Sequence, residues 1–231
     1  GYVKPQPDPK SKTSIGLTMF GVTTVCVESI TDALRKDFEC LVFHATGTGG
    51  QSMEKLAESQ LLDAVIDITT TEVCDYFMGG VFPCLESRFD IFAANGMPYI
   101  GSVGALDMVN FGPKETIPQK YKNRNLFVHN AQVTLMRTTT DENKKMGAWI
   151  AEKLNKMHGK VSFFLPMGGV SVIDSPGKPF YNPDANKALF DAIEQNLIQT
   201  KSRKLIKINS NINDPVFSNK VVEEFRSILN V

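Results

Sequence analysis

The sequence predicts an α/β fold, an open, mainly parallel, Rossmann-like sheet with helices on both faces. Three observations carry this expectation. Short apolar runs of strand length alternate with amphipathic runs of helical period along nearly the whole chain. Such alternation builds parallel sheets through crossover connections. Glycine, threonine and other small polar residues gather where the strand-like runs end, and open parallel sheets bind ligands beyond those ends.

The elements follow in order. Residues 14–19 read as a buried strand, and about 24–36 as a helix with Cys26, Ile30, Ala33 and Leu34 on one face. Residues 40–44 form a second strand, and Gly49-Gly50 leads into a helix over about 51–59. Residues 64–68 form a third strand followed by a short helix, and 98–100 a fourth. The stretch 102–124, with Gly104, Gly112, Pro113 and Pro118, reads as long and irregular, either a functional loop or a disordered one. Residues 126–128 read as a fifth strand. A helix over 141–157, capped by Thr140, carries Met146, Ile150 and Leu154 at four-residue spacing, and Trp149 packs on it. Residues 161–165 form a sixth strand and 166–183 a second Gly/Pro loop. Asn182-Pro183 caps a helix through Leu197, because Asn accepts at an N-cap and Pro suits the first turn. Residues 205–208 form a seventh strand. Asp214-Pro215 opens a last helix with a stripe of Phe217, Val221, Phe225, Ile228 and Leu229.

At 231 residues, with 42% apolar and 22% charged, the chain has the composition of an ordinary globular protein and can bury a core without disulfides or metals. No internal repeat or linker interrupts residues 13–231, so one domain is expected there. Residues 1–12, with Gly1 where Met would stand and Pro5, Pro7 and Pro9 following, read as a linker or lead-in. Lys+Arg and Asp+Glu are equal at 25 each, which offers no electrostatic footprint for nucleic acid or an anionic membrane. Cys26, Cys40, Cys74 and Cys84 lack CxxC spacing and lie mostly in apolar runs, so buried free thiols and a cytoplasmic setting are expected. No run approaches the ~18 apolar residues of a membrane span.

The chemistry sits in the strand-end loops. Thr46-Gly-Thr-Gly-Gly50 lies between a strand and a helix, where glycines let the backbone approach a ligand and free N–H groups suit an anion. It is neither a Walker sequence nor a complete Gly-x-Gly-x-x-Gly, and a plain tight turn is the alternative. Thr46, Gly47, Thr48, Gly49 and Gly50 are therefore candidate ligand contacts, with Thr23, Gly104, Gly168 and Gly169 in the neighbouring loops. Thr69, Thr70 and Thr71 could donate hydroxyls, although an N-cap explains one of them. Arg137 suits a planar clamp on an anion, or a structural bridge. His44, Glu72, Asp107, His129 and Asp174 are the candidate acids and bases, but no two share a spacing that would fix a general acid–base pair. Asp67 interrupts an apolar strand and needs buried partners or a place in the site. No cluster has metal-ligand spacing.

Several of these loops belong to longer motifs. Gly21-Val-Thr-Thr, His44-Ala-Thr-Gly-Thr-Gly-Gly, Asp67-Ile-Thr-Thr-Thr-Glu-Val and Ser102-Val-Gly-Ala-Leu-Asp-Met-Val-Asn-Phe-Gly resemble the family of the tomato tobamovirus-resistance protein, an inhibitor of viral RNA replication. His129-Asn, Met136-Arg-Thr-Thr, Gly177-Lys-Pro-Phe-Tyr-Asn-Pro and Ile212-Asn-Asp-Pro extend the resemblance over residues 13–231. The resemblance implies the C-terminal half of a protein about twice this length, built from two Rossmann-like halves. It further implies ATP with Mg²⁺ as ligand, the N-terminal half as partner, and a homodimer. Three functions stay open on these grounds: a nucleotide- or phosphate-binding domain, an enzyme with a loop-built acid–base site, and an interaction module.

Overall fold

The computed structural model of the chain describes residues 12–231. All but one residue of the expected lead-in, residues 1–12, therefore lies outside the described residues. Six strands form one parallel sheet: β1 (Thr13–Met19), β2 (Phe38–His44), β3 (Ala64–Thr69), β4 (Tyr99–Gly104), β8 (Val161–Pro166) and β9 (Arg203–Ile208). Their order is β2-β1-β3-β4-β8-β9, all parallel. The chain winds outward from β1 to β2, then returns to the other side of β1 for β3. That reversal makes the β1–β3 boundary the topological switch point, where a crevice opens beyond the carboxyl ends.

The central strands read as continuous apolar runs because both faces are covered. All six residues of β3, β4 and β8 are buried. Helices α1 (Thr24–Leu34) and α7 (Pro215–Leu229) cover one face, where Ile30, Leu34, Phe217, Val221 and Phe225 meet Ile15, Leu17, Ile66 and Ile68. Helices α2 (Thr48–Glu58), α3 (Glu72–Met78), α4 (Asp90–Asn95), α5 (Thr140–Asn155) and α6 (Pro183–Asn196) cover the other with Met53, Val73, Phe92, Ile150 and Leu189. Fully burying each such side chain contributes about 1.5–3 kcal/mol. Trp149 packs as expected, among Tyr76, Phe77 and Phe89. Among the described residues no helix is long and apolar enough to cross a membrane, and all four cysteines are free, Cys40 being only half-buried.

The structure departs from the sequence reading in five places, four of them in the course of the elements. The stretch 102–124 is not one loop: β4 runs to Gly104, a tight turn with Ala105 at φ +59° follows, and β5 (Met108–Phe111) leaves it. The expected fifth strand is β6 (Leu126–Asn130), which lies outside the parallel sheet and pairs with an unforeseen strand, β7 (Val133–Arg137), in a small antiparallel sheet of order β5-β7-β6. Helix α4 was also unforeseen, being short and bounded by left-handed residues at Phe89 and Gly96. On α1 the buried stripe includes Val27, and Ala33 is exposed. A strand pair joined across a turn leaves little periodicity, so these elements become visible only through their partners.

The cap of α5 also moves by one residue. Thr139, in extended conformation, accepts from Glu142 N–H at 3.3 Å, while Glu142 Oε2 accepts from Thr139 N–H at 2.8 Å. Reciprocal bonds of this kind satisfy two otherwise orphaned donors. Thr139→Ala is therefore expected to cost about 1 kcal/mol in urea unfolding, and Thr140→Ala, on the first exposed helical residue, markedly less. Equal losses would place the cap back at Thr140.

Candidate functional site

The carboxyl ends of β1 and β2 and one face of the antiparallel sheet enclose a pocket of about 490 Å³. Small-molecule sites span roughly 300–1,000 Å³. Phe20 and Val22 from the turn after β1, with His44 at the end of β2 and Thr46 after it, form one wall. Phe127, His129 and Asn130 of β6 face them, and Val172 and Ile173 from the loop after β8 close a third side. Behind lies a small apolar cluster built on Ala105, Met108, Leu135 and Phe180. The Phe20 and His44 rings stack with centroids 5.2 Å apart and planes inclined by 16°. Among the described residues no Lys, Arg, Asp or Glu lines the pocket. No described residue hydrogen-bonds either imidazole, and Asn130 uses only its Oδ1, accepting from Gln132 N–H at 2.8 Å.

The glycine-rich turn beside this pocket does hold an anion, and the anion is the protein's own. Gly47 N–H donates to Glu72 Oε2 at 3.0 Å. A Cβ on Gly50 would lie 2.1 Å from Glu72 Oε1, so only glycine lets α2 approach this carboxylate. Gly47 adopts φ +75°, the left-handed region that glycine enters without strain. Glu72 is buried at the start of α3 and pairs with Arg88 Nε at 2.5 Å. The same guanidinium reaches Asp67 at 2.7 Å and Glu54 at 2.9 Å. Asp67 also accepts from Thr18 Oγ1 at 2.6 Å and from the Tyr99 hydroxyl at 2.9 Å. Burial pushes the Glu72 pKa up, and the facing Arg88 charge opposes that shift.

The three threonines weld β3 to its neighbours. Thr69 shares a hydroxyl bond with Thr23 at 2.8 Å, Thr70 donates to Ser102 O and Thr71 to Met108 O. All four threonines are fully buried. Gly104 lies where β3 and β4 shift register, and a Cβ there would meet Ile68 O at 2.4 Å. Arg137 is buried and bridges chain segments: Nε donates to Phe180 O, and its two Nη groups reach Thr138, Asn182, Asn186 and Asp174. Asp174 accepts from Val170 N–H and Asn186 Nδ2, fastening the loop that holds Gly168 and Gly169. Asp107 accepts from Ser171 Oγ at 2.7 Å with one oxygen, while the other has no partner among the described residues.

The sequence-predicted residues thus divide by place. His44, Thr46 and His129 come together at the pocket. Thr48 and Gly49 begin α2, outside its lining. Glu72, Asp107, Asp174 and Arg137 lie in two buried polar networks, and Thr23, Thr69, Thr70 and Thr71 in the seams between strands. Among the described residues no group of three or more His, Cys, Asp or Glu is arranged to hold a metal ion. Arg88 and Glu54 escaped the sequence reading because their partners are 16 to 34 positions away. Phe82, Phe127, Val133 and Leu135 escaped it because an apolar residue lining a pocket looks like a core residue; the one clue was Phe20 beside Gly21 at a strand end.

Comparison with known proteins locates this arrangement in a family. Residues 12–229 match the C-terminal domain of an uncharacterised protein family, UPF0261. The chain belongs to the UPF0261 family. It is 53% identical over 225 residues to a UPF0261 protein of Mesorhizobium japonicum, covering 97% of this chain and 56% of that relative. A UPF0261 protein of Rhizobium meliloti is 51% identical over 227 residues, 98% of this chain and 57% of its own length. The ToMV resistance protein Tm-1(GCR237) of Solanum lycopersicum is 50% identical over 219 residues, 94% of this chain and 29% of that relative. The resemblance read from the loop motifs is therefore a family membership, and this UPF0261 domain spans about half the length of the bacterial relatives it matches.

Two predictions come from the buried networks. Arg88→Met leaves Asp67, Glu72 and Glu54 without their cation, and unfolding should become easier by about 3–5 kcal/mol; a loss under about 1 kcal/mol would show that the cluster relaxes or takes up protons instead. Burial also pushes Asp75 and Asp107 up to about 7, above the ordinary carboxylate value of about 4. The folded state then holds protons that the unfolded chain has released. Their contribution is fully present below about pH 4 and is lost as pH rises through about 7, by at most about 1.4 kcal/mol per pH unit for each group. Asp75→Asn removes one of these terms, so its stability relative to wild type should rise between pH 4 and 7. A difference constant over that range, measured by urea unfolding, would contradict the assignment.

Proposed function

We propose that this UPF0261 domain binds a small molecule in the pocket at the ends of β1 and β2. The ligand implied by the family resemblance is a nucleotide, ATP with Mg²⁺, and in the longer proteins the N-terminal half completes the site within a homodimer. One observation carries the placement. The pocket opens beyond the carboxyl ends of β1 and β2 in the parallel sheet, on the other side of β1 from the β1–β3 switch point, and there the predicted His44, Thr46 and His129 converge. Its apolar walls and stacked Phe20–His44 rings suit the base. The absence of lysine, arginine and carboxylates from its lining among the described residues means that phosphates and Mg²⁺ would be met outside it. An acid–base enzyme would have to work through His44 and His129, since Glu72, Asp107 and Asp174 are engaged in buried contacts elsewhere. The four free thiols support a reducing compartment such as the cytoplasm.

Calorimetric titration of a full-length family protein with ATP and Mg²⁺ tests the reading. Phe20→Ala and His129→Ala should each weaken binding about tenfold, a loss near 1.4 kcal/mol. Unchanged affinity in both variants would move the ligand away from this pocket, and absence of binding to the wild type would remove the nucleotide.

A further inference from the structure

We infer that this pocket recognises an uncharged planar heteroaromatic ring, and that any anionic part of the ligand receives no contact from residues 12–231. The inference rests on the proposed ligand pocket and specifies which end of the ligand the domain reads. Its first support is charge. A site built to hold phosphate supplies arginine, lysine or a set of backbone N–H groups. Here no lysine or arginine among the described residues lines the pocket. The neighbouring glycine turn, the one backbone anion cradle predicted from sequence, is filled by the Glu72 carboxylate through Gly47 N–H. Glu72 is in turn locked by Arg88 in the interior, so the turn presents an already neutralised partner rather than a vacant positive end.

The second support is shape. Phe20 and His44 stand nearly parallel at 5.2 Å, and both line the pocket. A third flat ring can extend that stack, and offset stacking is the arrangement aromatic quadrupoles favour. The third is hydrogen bonding. The His129 imidazole offers one donor and one acceptor in its neutral form, and the Asn130 amide nitrogen donates to no described residue. Thr46 Oγ1 donates to His44 O at 3.3 Å, which leaves its lone pairs able to accept. Mixed donors and acceptors beside a flat apolar wall match the edge of a neutral heterocycle. An aliphatic chain would leave those polar groups unmatched, at a cost in affinity.

The test titrates this chain with adenosine, ATP and tripolyphosphate, using calorimetry and chemical-shift perturbation. Adenosine should bind within about threefold of ATP's dissociation constant, with shifts at Phe20 and His129, and tripolyphosphate should not bind. Raising salt about tenfold should leave the adenosine constant unchanged, because no ion pair is formed. Phe20→Leu keeps apolar bulk but removes the ring, and should weaken both ring-bearing ligands by about three- to tenfold. Tripolyphosphate binding at the pocket, ATP binding without adenosine binding, no binding of either, or indifference to Phe20→Leu would each overturn the inference. Adenosine binding without ATP binding would sustain it while removing the nucleotide reading, and ATP binding indifferent to Phe20→Leu would do the reverse.

Discussion

Arg88 is the residue on which the arrangement turns. Its guanidinium is buried and faces Asp67, Glu72 and Glu54, from β3, α3 and α2. Taking such charges out of water costs several kcal/mol per ion, and their mutual attraction repays this only where every bond is made. Here they are made. Asp67 has Thr18 and Tyr99 besides, Glu54 also accepts from Phe89 N–H, and Glu72 has Gly47. The guanidinium also sits 4.4 Å from the Phe89 ring centroid. Three elements and the segment before α4 are thereby held in one register beneath the sheet's carboxyl edge.

This constraint explains the composition of the loops above it. Gly50 is required because the Glu72 carboxylate occupies the space a side chain would need, and Gly47 because it sits at φ +75° with Pro83 O where a Cβ would go. The run of threonines after β3 is required because the strand ends meet there and their polar atoms are sealed from water, where an unmade bond costs about 1–3 kcal/mol. Arg137 and Asp174 play the corresponding part for the loop after β8, tying it to α6 and β7. The polar residues are largely spent on holding the loops still. What remains to face the pocket is apolar and aromatic, with two imidazoles and an amide at its rim.

Much of the fold was legible in the residues. The buried strands 64–69 and 161–166 are short apolar runs, and the Asn182-Pro183 and Asp214-Pro215 starts are local capping chemistry that no tertiary contact has to supply. The site was legible only in part. The loops after β1 and β2 that the residues mark as places of chemistry border the pocket, but an anion cradle reads the same whether its anion is a ligand or a glutamate 25 positions away. Likewise Arg137 offered a clamp on either a ligand or a loop, and only the positions of Phe180 and Asn186 decide between them.

Sequence by itself determined the alternation of strands and helices, the caps, the edge of the sheet at which polar groups gather, and membership of the family through its ordered motifs. These are local or collinear properties, set by periodicity and by residue chemistry within a few positions. Tertiary structure decided what each polar group faces. It placed Glu72 in the glycine turn, enclosed Arg88 among three carboxylates, folded residues 108–137 into a separate antiparallel sheet, and left Phe20, His44 and His129 around an uncharged pocket. Most of those outcomes depend on contacts between residues at least 16 positions apart, which the spacing of residues along the chain does not encode.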